Sequence, residues 1–166
     1  MPAHLAIINP KSPQNMGSIL RAAGCYQAQS IRYTGERYAR AKAFQTDTKN
    51  VQSVIEVKHV DEIINDDTDV TLKKVAVELV EGATPLPNFV HPNNALYIFG
   101  PEDGSIEQDV VDKCDHVVYI PTLGCMNLAA TVNVLLYDRL SKTTQMPTDD
   151  EVILKSRDTN NRTKAK

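Results

Sequence analysis

The sequence predicts an α/β domain built on a mainly parallel sheet flanked by helices. Three observations carry that prediction. Short apolar runs alternate with helix-spaced segments along the whole chain. Two of the runs, residues 95–99 (ALYIF) and 116–120 (HVVYI), are nearly continuous in apolar character, as expected of central strands covered on both faces. The loops richest in Asn, Gly, Pro and acid (residues 9–17, 100–105 and 121–127) each follow such a run. In open parallel sheets ligands bind beyond the carboxyl ends of the strands, so this placement suggests one shared pocket.

Taken in order, residues 4–9 (HLAIIN) read as a buried strand that ends in a proline-bearing loop. Asn15 stands where a helix N-cap belongs, and Met16, Ile19, Leu20 and Ala23 follow at helical spacing until Gly24 closes the helix. Residues 30–34 (SIRYT) form a second strand. Residues 35–48 are polar and basic, partly helical over 37–44. Residues 54–57 are a short strand, and Asp61 caps a short helix over 62–65. Residues 73–80 (KKVAVELV) are a further strand, and 84–94, with Pro85, Pro87 and Pro92, a loop. After the strand 95–99 come a turn and a helix over 106–114. After the strand 116–120 comes the longest helix, 127–141, with Leu128, Val132, Leu135, Leu136 and Leu140 as its apolar stripe. The organisation is one domain over residues 1–145 and a polar, flexible tail over 146–166.

Composition narrows the function classes. With 42% hydrophobic and 23% charged residues, the 166-residue chain belongs among globular proteins. No apolar run reaches the length needed to span a bilayer, and the N-terminus lacks a basic, then apolar leader, so no membrane partner is expected. Cys25, Cys114 and Cys125 form neither a disulfide framework nor a metal-ligand spacing, so no metal is expected and a reducing cytoplasm fits. The net charge of −3 argues mildly against a nucleic-acid partner. Its distribution argues the other way. Arg32, Arg37, Arg40, Lys42 and Lys49 face only Glu36 and Asp47, and the five basic residues of 155–166 face only Asp158. Both stretches read equally as solvated surface.

Three loops hold the residues with chemical potential. In the first, Gly17 and Arg21 are four apart and share a helical face, next to Asn15 near a helix N-terminus that favours anions. In the second, Gly100-Pro101-Glu102-Asp103-Gly104 sets a carboxylate directly after a buried strand, where neighbouring loops can donate to it. In the third, Asn127 can cap the last helix, and the small Ala129 and Ala130 permit close packing at its start. Singly, each loop reads as well as ordinary capping and turn chemistry.

In combination they are more specific. An N-x-G-x-x-x-R segment, a strand followed by G-P-E-x-G, and a strand followed by I-P-x-x-G-x-M-N-L occur in that order over residues 5–140. This set resembles the three signature motifs of the SpoU (TrmH) family of RNA 2′-O-ribose methyltransferases, in the SPOUT superfamily. The resemblance implies an α/β fold whose C-terminal part forms a deep trefoil knot. It implies S-adenosylmethionine held mostly by backbone groups at Gly100, Ile120, Cys125, Met126 and Leu128, with Val77 as a further wall. It implies Arg21 as the catalytic candidate, Asn15 orienting the ribose or a neighbouring loop, and Glu102 and Asn127 fixing the first motif against the other two. An arginine normally stays protonated, so its role is phosphate positioning and electrostatic stabilisation. The resemblance further implies a homodimer through the first and last helices, acting on tRNA first and rRNA second. Tyr26, Tyr33 and Tyr38 are candidates for base stacking, with half-buried packing the more ordinary role of each.

The chain departs from the pattern at Cys125, where many relatives carry Ser, and at Ala129-Ala130-Thr131, where they often carry Ser or Asn. These changes motivate an alternative, a catalytically weak or inactive RNA-binding homodimer with the same fold. A Rossmann-type nucleotide binder would need a G-x-G-x-x-G turn after the first strand, and residues 9–17 contain none.

Overall fold

Side-chain alternation along the strands sets the layers. In β1 (Ala3–Ile7), Leu5 and Ile7 point to one side of the sheet and Ala6 to the other, all buried. The computed structural model describes residues 2–42, 55–64, 71–143 and 150–165. After β1 come α1 (Pro13–Cys25), β2 (Ser30–Tyr33), α2 (Arg37–Lys42), β3 (Glu56–His59), β4 (Lys73–Val77), β5 (Thr84–Pro85) and a 3-10 turn at Leu86–Asn88. Then follow β6 (Ala95–Phe99), α3 (Gln108–Asp112), β7 (His116–Tyr119), α4 (Leu128–Thr143) and α5 (Asp150–Ser156).

The seven strands of the described residues form one sheet in the order β3-β2-β1-β6-β4-β7-β5, parallel at every pairing. Helices α1 and α4 cover one face over Leu5, Ile7, Tyr97 and Phe99. The opposite face buries Ala6, Ala76, Leu96 and Ile98 with Ile106, Val110 and Val111 from the α3 side. β6 is buried at every residue, as its unbroken apolar run requires. The α/β class and the mainly parallel sheet of the sequence reading are therefore present.

Several boundaries differ from the expectation, each for a local reason. Ser12, not Asn15, caps α1: its side chain accepts from the Asn15 N–H at 3.2 Å, and Pro13 supplies the preset first helical residue. The helix runs past Gly24 to Cys25. β4 stops at Val77, in register with Phe99 of β6, and the chain then turns outward. Pro85 sits in the edge strand β5, where no ladder N–H is needed. α3 is shorter than 106–114, because Glu107 is extended (φ −66°, ψ 148°). Residues 61–64 contain no helix. Asn65, Phe44, Asp47, Lys49 and Val54, which figured in the expected helices, strand and basic stretch, lie outside the described residues. Within the segment read as a flexible tail, α5 is helical and leaves Val152, Ile153 and Leu154 exposed.

No helix of the described residues is long and apolar enough to cross a membrane. The same residues contain no group of three or more His, Cys, Asp or Glu arranged to hold a metal.

Candidate active site

The loops after β4, β6 and β7 open on one cleft of about 550 Å³ at the carboxyl end of the sheet. Val77, Gly100, Ile120, Cys125, Met126 and Leu128, the six residues expected to hold a cofactor, all line it. The shared cause is the strand order. β4 lies between β6 and β7, so the loops leaving all three converge.

The β1–α1 loop joins the cleft through one carboxylate. Glu102 Oε2 accepts from the Lys11 N–H at 2.8 Å, and Oε1 accepts from the Ser12 N–H at 2.9 Å and from Asn15 Nδ2 at 3.2 Å. Burial pushes the Glu102 carboxyl up, but the hydrogen bonds from Ser12, Lys11 and Asn15 outweigh it and hold it below the usual carboxylate range. Asn15 continues the chain of contacts, its Oδ1 accepting from Asn127 Nδ2 at 3.1 Å. Asn127 Oδ1 in turn caps α4, accepting from the N–H groups of Ala129 (2.9 Å) and Ala130 (3.3 Å). Asn15 is thus the bridge between the second and third loops, and Glu102 and Asn127 both face the cleft.

Arg21 stands apart. It lies on the exposed side of α1, does not line the cleft, and shares that side with Gly17, where a Cβ would meet nothing within 4 Å. Three of the four expected catalytic residues are joined by hydrogen bonds, and the fourth is exposed on α1 outside the cleft.

Arg37, read from sequence as part of a basic surface, is instead a brace. Its guanidinium forks onto Asp103, Nη1 donating to Oδ2 and Nη2 to Oδ1, each at 2.9 Å, and Nη2 also donates to the Asn9 carbonyl at 2.7 Å. The same guanidinium stands 4.0 Å from Glu102. Its hydrogen bond and charge hold the Asp103 carboxyl below its ordinary range. Neither Arg37 nor its partner was identifiable beforehand, since the pair spans 66 residues of sequence. Tyr38 is buried and meets Tyr33 edge-to-face at 5.2 Å, which removes it as a free stacking platform; Tyr26 and Tyr33 pack partly against the core.

Glu78 was also missed. It follows β4 directly and lines the cleft, with Oε2 accepting from the Ile106 N–H at 3.0 Å and Oε1 from the Leu79 N–H at 2.9 Å. Its signal in the sequence is the one that singled out Glu102, an acid just past a buried strand.

A second polar cluster lies away from the cleft, under α4. Arg139 donates to the Tyr97 hydroxyl at 2.8 Å, and His91 lies 2.7 Å from that hydroxyl through Nδ1 and 2.9 Å from Asp138 through Nε2. Arg139 also donates to the carbonyls of Pro2, Pro92 and Asn93. The cluster was invisible as a pattern, because its members are a loop histidine, a strand tyrosine and two consecutive helix residues.

Comparison with known proteins accords with this geometry. Over 154 residues the chain is 27% identical to the tRNA (cytidine-2′-O-)-methyltransferase TrmJ of Methanocaldococcus jannaschii, covering 82% of this chain and 66% of that protein's length. The fold superposes on the TrmH/SpoU tRNA modifying enzyme of A. aeolicus with a TM-score of 0.72 at 16% identity, covering 84% of this chain and 74% of the other. It superposes on the SpoU methyltransferase AviRb of Streptomyces viridochromogenes, in complex with AdoMet, with a TM-score of 0.66 at 18% identity, covering 83% and 59%. The model of the SpoU rRNA methylase family matches residues 2–137. With the second and third motif loops lining one cleft and the first hydrogen-bonded to both, the chain belongs to the SpoU rRNA methylase family.

Proposed function

We propose that this protein is an S-adenosylmethionine-dependent methyltransferase acting on a ribose 2′-hydroxyl of RNA, with tRNA as its first substrate class and rRNA as the second. The observation that carries the proposal is the contact chain Glu102–Asn15–Asn127, which draws the three motif loops together at the mouth of the cleft. Relatives named as a tRNA 2′-O-methyltransferase and a tRNA modifying enzyme support the choice of RNA.

The cleft fits the cofactor. Its volume of about 550 Å³ is in the range of small-molecule sites, and its walls combine apolar Val77, Ile120 and Leu128 with turn backbone at Gly100 and Gly104. Gly100 is tightly enclosed: a Cβ there would come within 3.3 Å of Glu78 Oε2 and of the Ile106 nitrogen, so these neighbours would have to give by a few tenths of an ångström. Backbone at Gly100, Cys125 and Met126 would hold the cofactor, with Val77, Ile120 and Leu128 as walls. The cofactor supplies a methyl group on a sulfonium.

The chain's own residues do the remainder. Glu102 fixes the start of α1 through the Lys11 and Ser12 N–H groups, which sets the direction of the helix that carries Arg21. Arg21, exposed and always charged, positions an RNA phosphate and stabilises charge developing at the hydroxyl. Asn15 orients the ribose or the loop that receives it. The exposed Val134 and Tyr137 on α4 support a homodimer packed through α1 and α4. The reading carries with it the family's deep trefoil knot around the 100–104 and 120–128 loops, and a cytoplasmic location.

The test is methyl transfer from isotopically labelled cofactor to unmodified tRNA and, separately, rRNA, followed by digestion to nucleosides. Label in a 2′-O-methyl nucleoside is the expected result. Retained binding of S-adenosylhomocysteine with no transfer to either RNA would favour an inactive RNA-binding protein. No binding at millimolar S-adenosylhomocysteine would overturn the cofactor reading.

A further inference from the structure

Two acidic side chains, Glu78 and Glu102, line the cleft, and among its described lining residues there is no Lys, Arg or His. The two carboxylates are not equivalent. Glu102 accepts three hydrogen bonds and has the Arg37 guanidinium 4.0 Å away. Glu78 is half-buried and accepts one backbone N–H on each oxygen. Among the described residues no cation pairs with it. Each carboxylate oxygen has two lone-pair sites, so Glu78 keeps acceptor capacity as well as an unbalanced charge. It also cannot easily leave. The Ile106 N–H holds one oxygen, and that oxygen lies 3.3 Å from where a Cβ on Gly100 would stand, at the cleft wall.

A carboxylate held in a partly desolvated cleft without a counter-charge is stabilised by a cation entering that cleft. Resting on the cofactor reading above, the substrate and product forms of the cofactor differ at one centre. S-adenosylmethionine carries a cationic sulfonium, and S-adenosylhomocysteine carries a neutral thioether. We infer that Glu78 is a specificity-determining residue that favours the cationic, methyl-bearing cofactor over its neutral product. Glu78 thereby promotes product release after each transfer. Its role is electrostatic and separate from that of Glu102, whose charge is already committed to the β1–α1 loop.

Calorimetric titration of the whole chain with S-adenosylmethionine, S-adenosylhomocysteine and the amine analogue sinefungin tests this, wild type beside Glu78→Gln. The wild type should prefer the two cationic ligands. In Glu78→Gln that preference over S-adenosylhomocysteine should shrink by roughly tenfold, the size expected of one partly screened charge pair. S-adenosylhomocysteine is the internal control, because damage to the cleft weakens all three ligands alike. A preference unchanged within about twofold overturns the inference while leaving the cofactor reading intact. Failure of all three ligands to bind wild type overturns the cofactor reading itself. If Glu78→Gln loses every ligand, salt titration of wild type decides. Added KCl should weaken the cationic ligands more steeply than the neutral one, and equal slopes overturn the inference.

Discussion

Asn15 Nδ2 donates to Glu102 Oε1 at 3.2 Å, closing a contact between residues 87 positions apart. The same amide accepts from Asn127 at 3.1 Å, so one short side chain holds two loops in register. Asn15→Ala removes both bonds and leaves the backbone bonds of Lys11 and Ser12 to Glu102 in place. Methyl transfer to RNA should fall by about 10² in kcat, the penalty of a misplaced reacting group, while S-adenosylhomocysteine affinity changes by under about threefold. Single-turnover transfer and calorimetry on the same preparation check this; an equal loss in both would assign Asn15 to cofactor binding instead.

Glu102 makes stability depend on pH. Its folded pKa lies below the ordinary carboxylate value of 4.5, with burial opposing and the Ser12 and Lys11 hydrogen bonds prevailing. A depressed folded pKa means that the unfolded chain binds the proton more tightly. The contribution of Glu102 is therefore complete above about pH 4.5 and is lost as pH falls through the folded value. Urea unfolding of wild type and Glu102→Gln should differ by a constant amount from pH 7 to about pH 5, roughly 1–3 kcal/mol for weakened bonds to two backbone donors, and the gap should close in more acid solution.

His91 sets a second, higher window. Burial lowers its pKa below 6.5, opposed by the Asp138 carboxylate. The contacts are all satisfied by a neutral ring, with Tyr97 O–H donating to Nδ1 and Nε2–H donating to Asp138. Since the folded pKa is the lower one, wild type should lose stability as pH falls through and below about 6.5, and His91→Gln should lack that component. Thermal unfolding at pH 7.5, 6.5 and 5.5 measures it; parallel pH profiles in the two proteins would rule out the titration of His91. Arg139→Met, at any of these pH values, should cost on the order of 3 kcal/mol, because it removes the donor that serves the Tyr97 hydroxyl oxygen and the carbonyls of Pro2, Pro92 and Asn93.

Much of this architecture was legible in the residues themselves. Periodicity located α1, α4 and every described strand except β5, which fell in the proline-bearing stretch read as a loop, since burial on one face or both imposes a pattern that chain order preserves. The family resemblance named Val77, Gly100, Ile120, Cys125, Met126 and Leu128 among the cleft-lining residues, and an acid just past a buried strand marks Glu102 and equally Glu78. Boundaries were less legible, because they depend on where a neighbour ends. β4 stops at Val77 because its partner β6 stops at Phe99, and Ser12 rather than Asn15 caps α1 because Pro13 presets the first turn.

What only the tertiary structure decided is which charges meet. Arg37 looked like surface for phosphate until the β1–α1 loop and the β6 turn brought it onto Asp103. The Glu102–Asn15–Asn127 chain and the buried His91–Tyr97–Arg139 cluster likewise join residues from separate elements. A hydrophobic pattern is local, repeating along one element. A hydrogen bond between distant side chains depends on crossing geometry and strand order, and neither is written in any single segment.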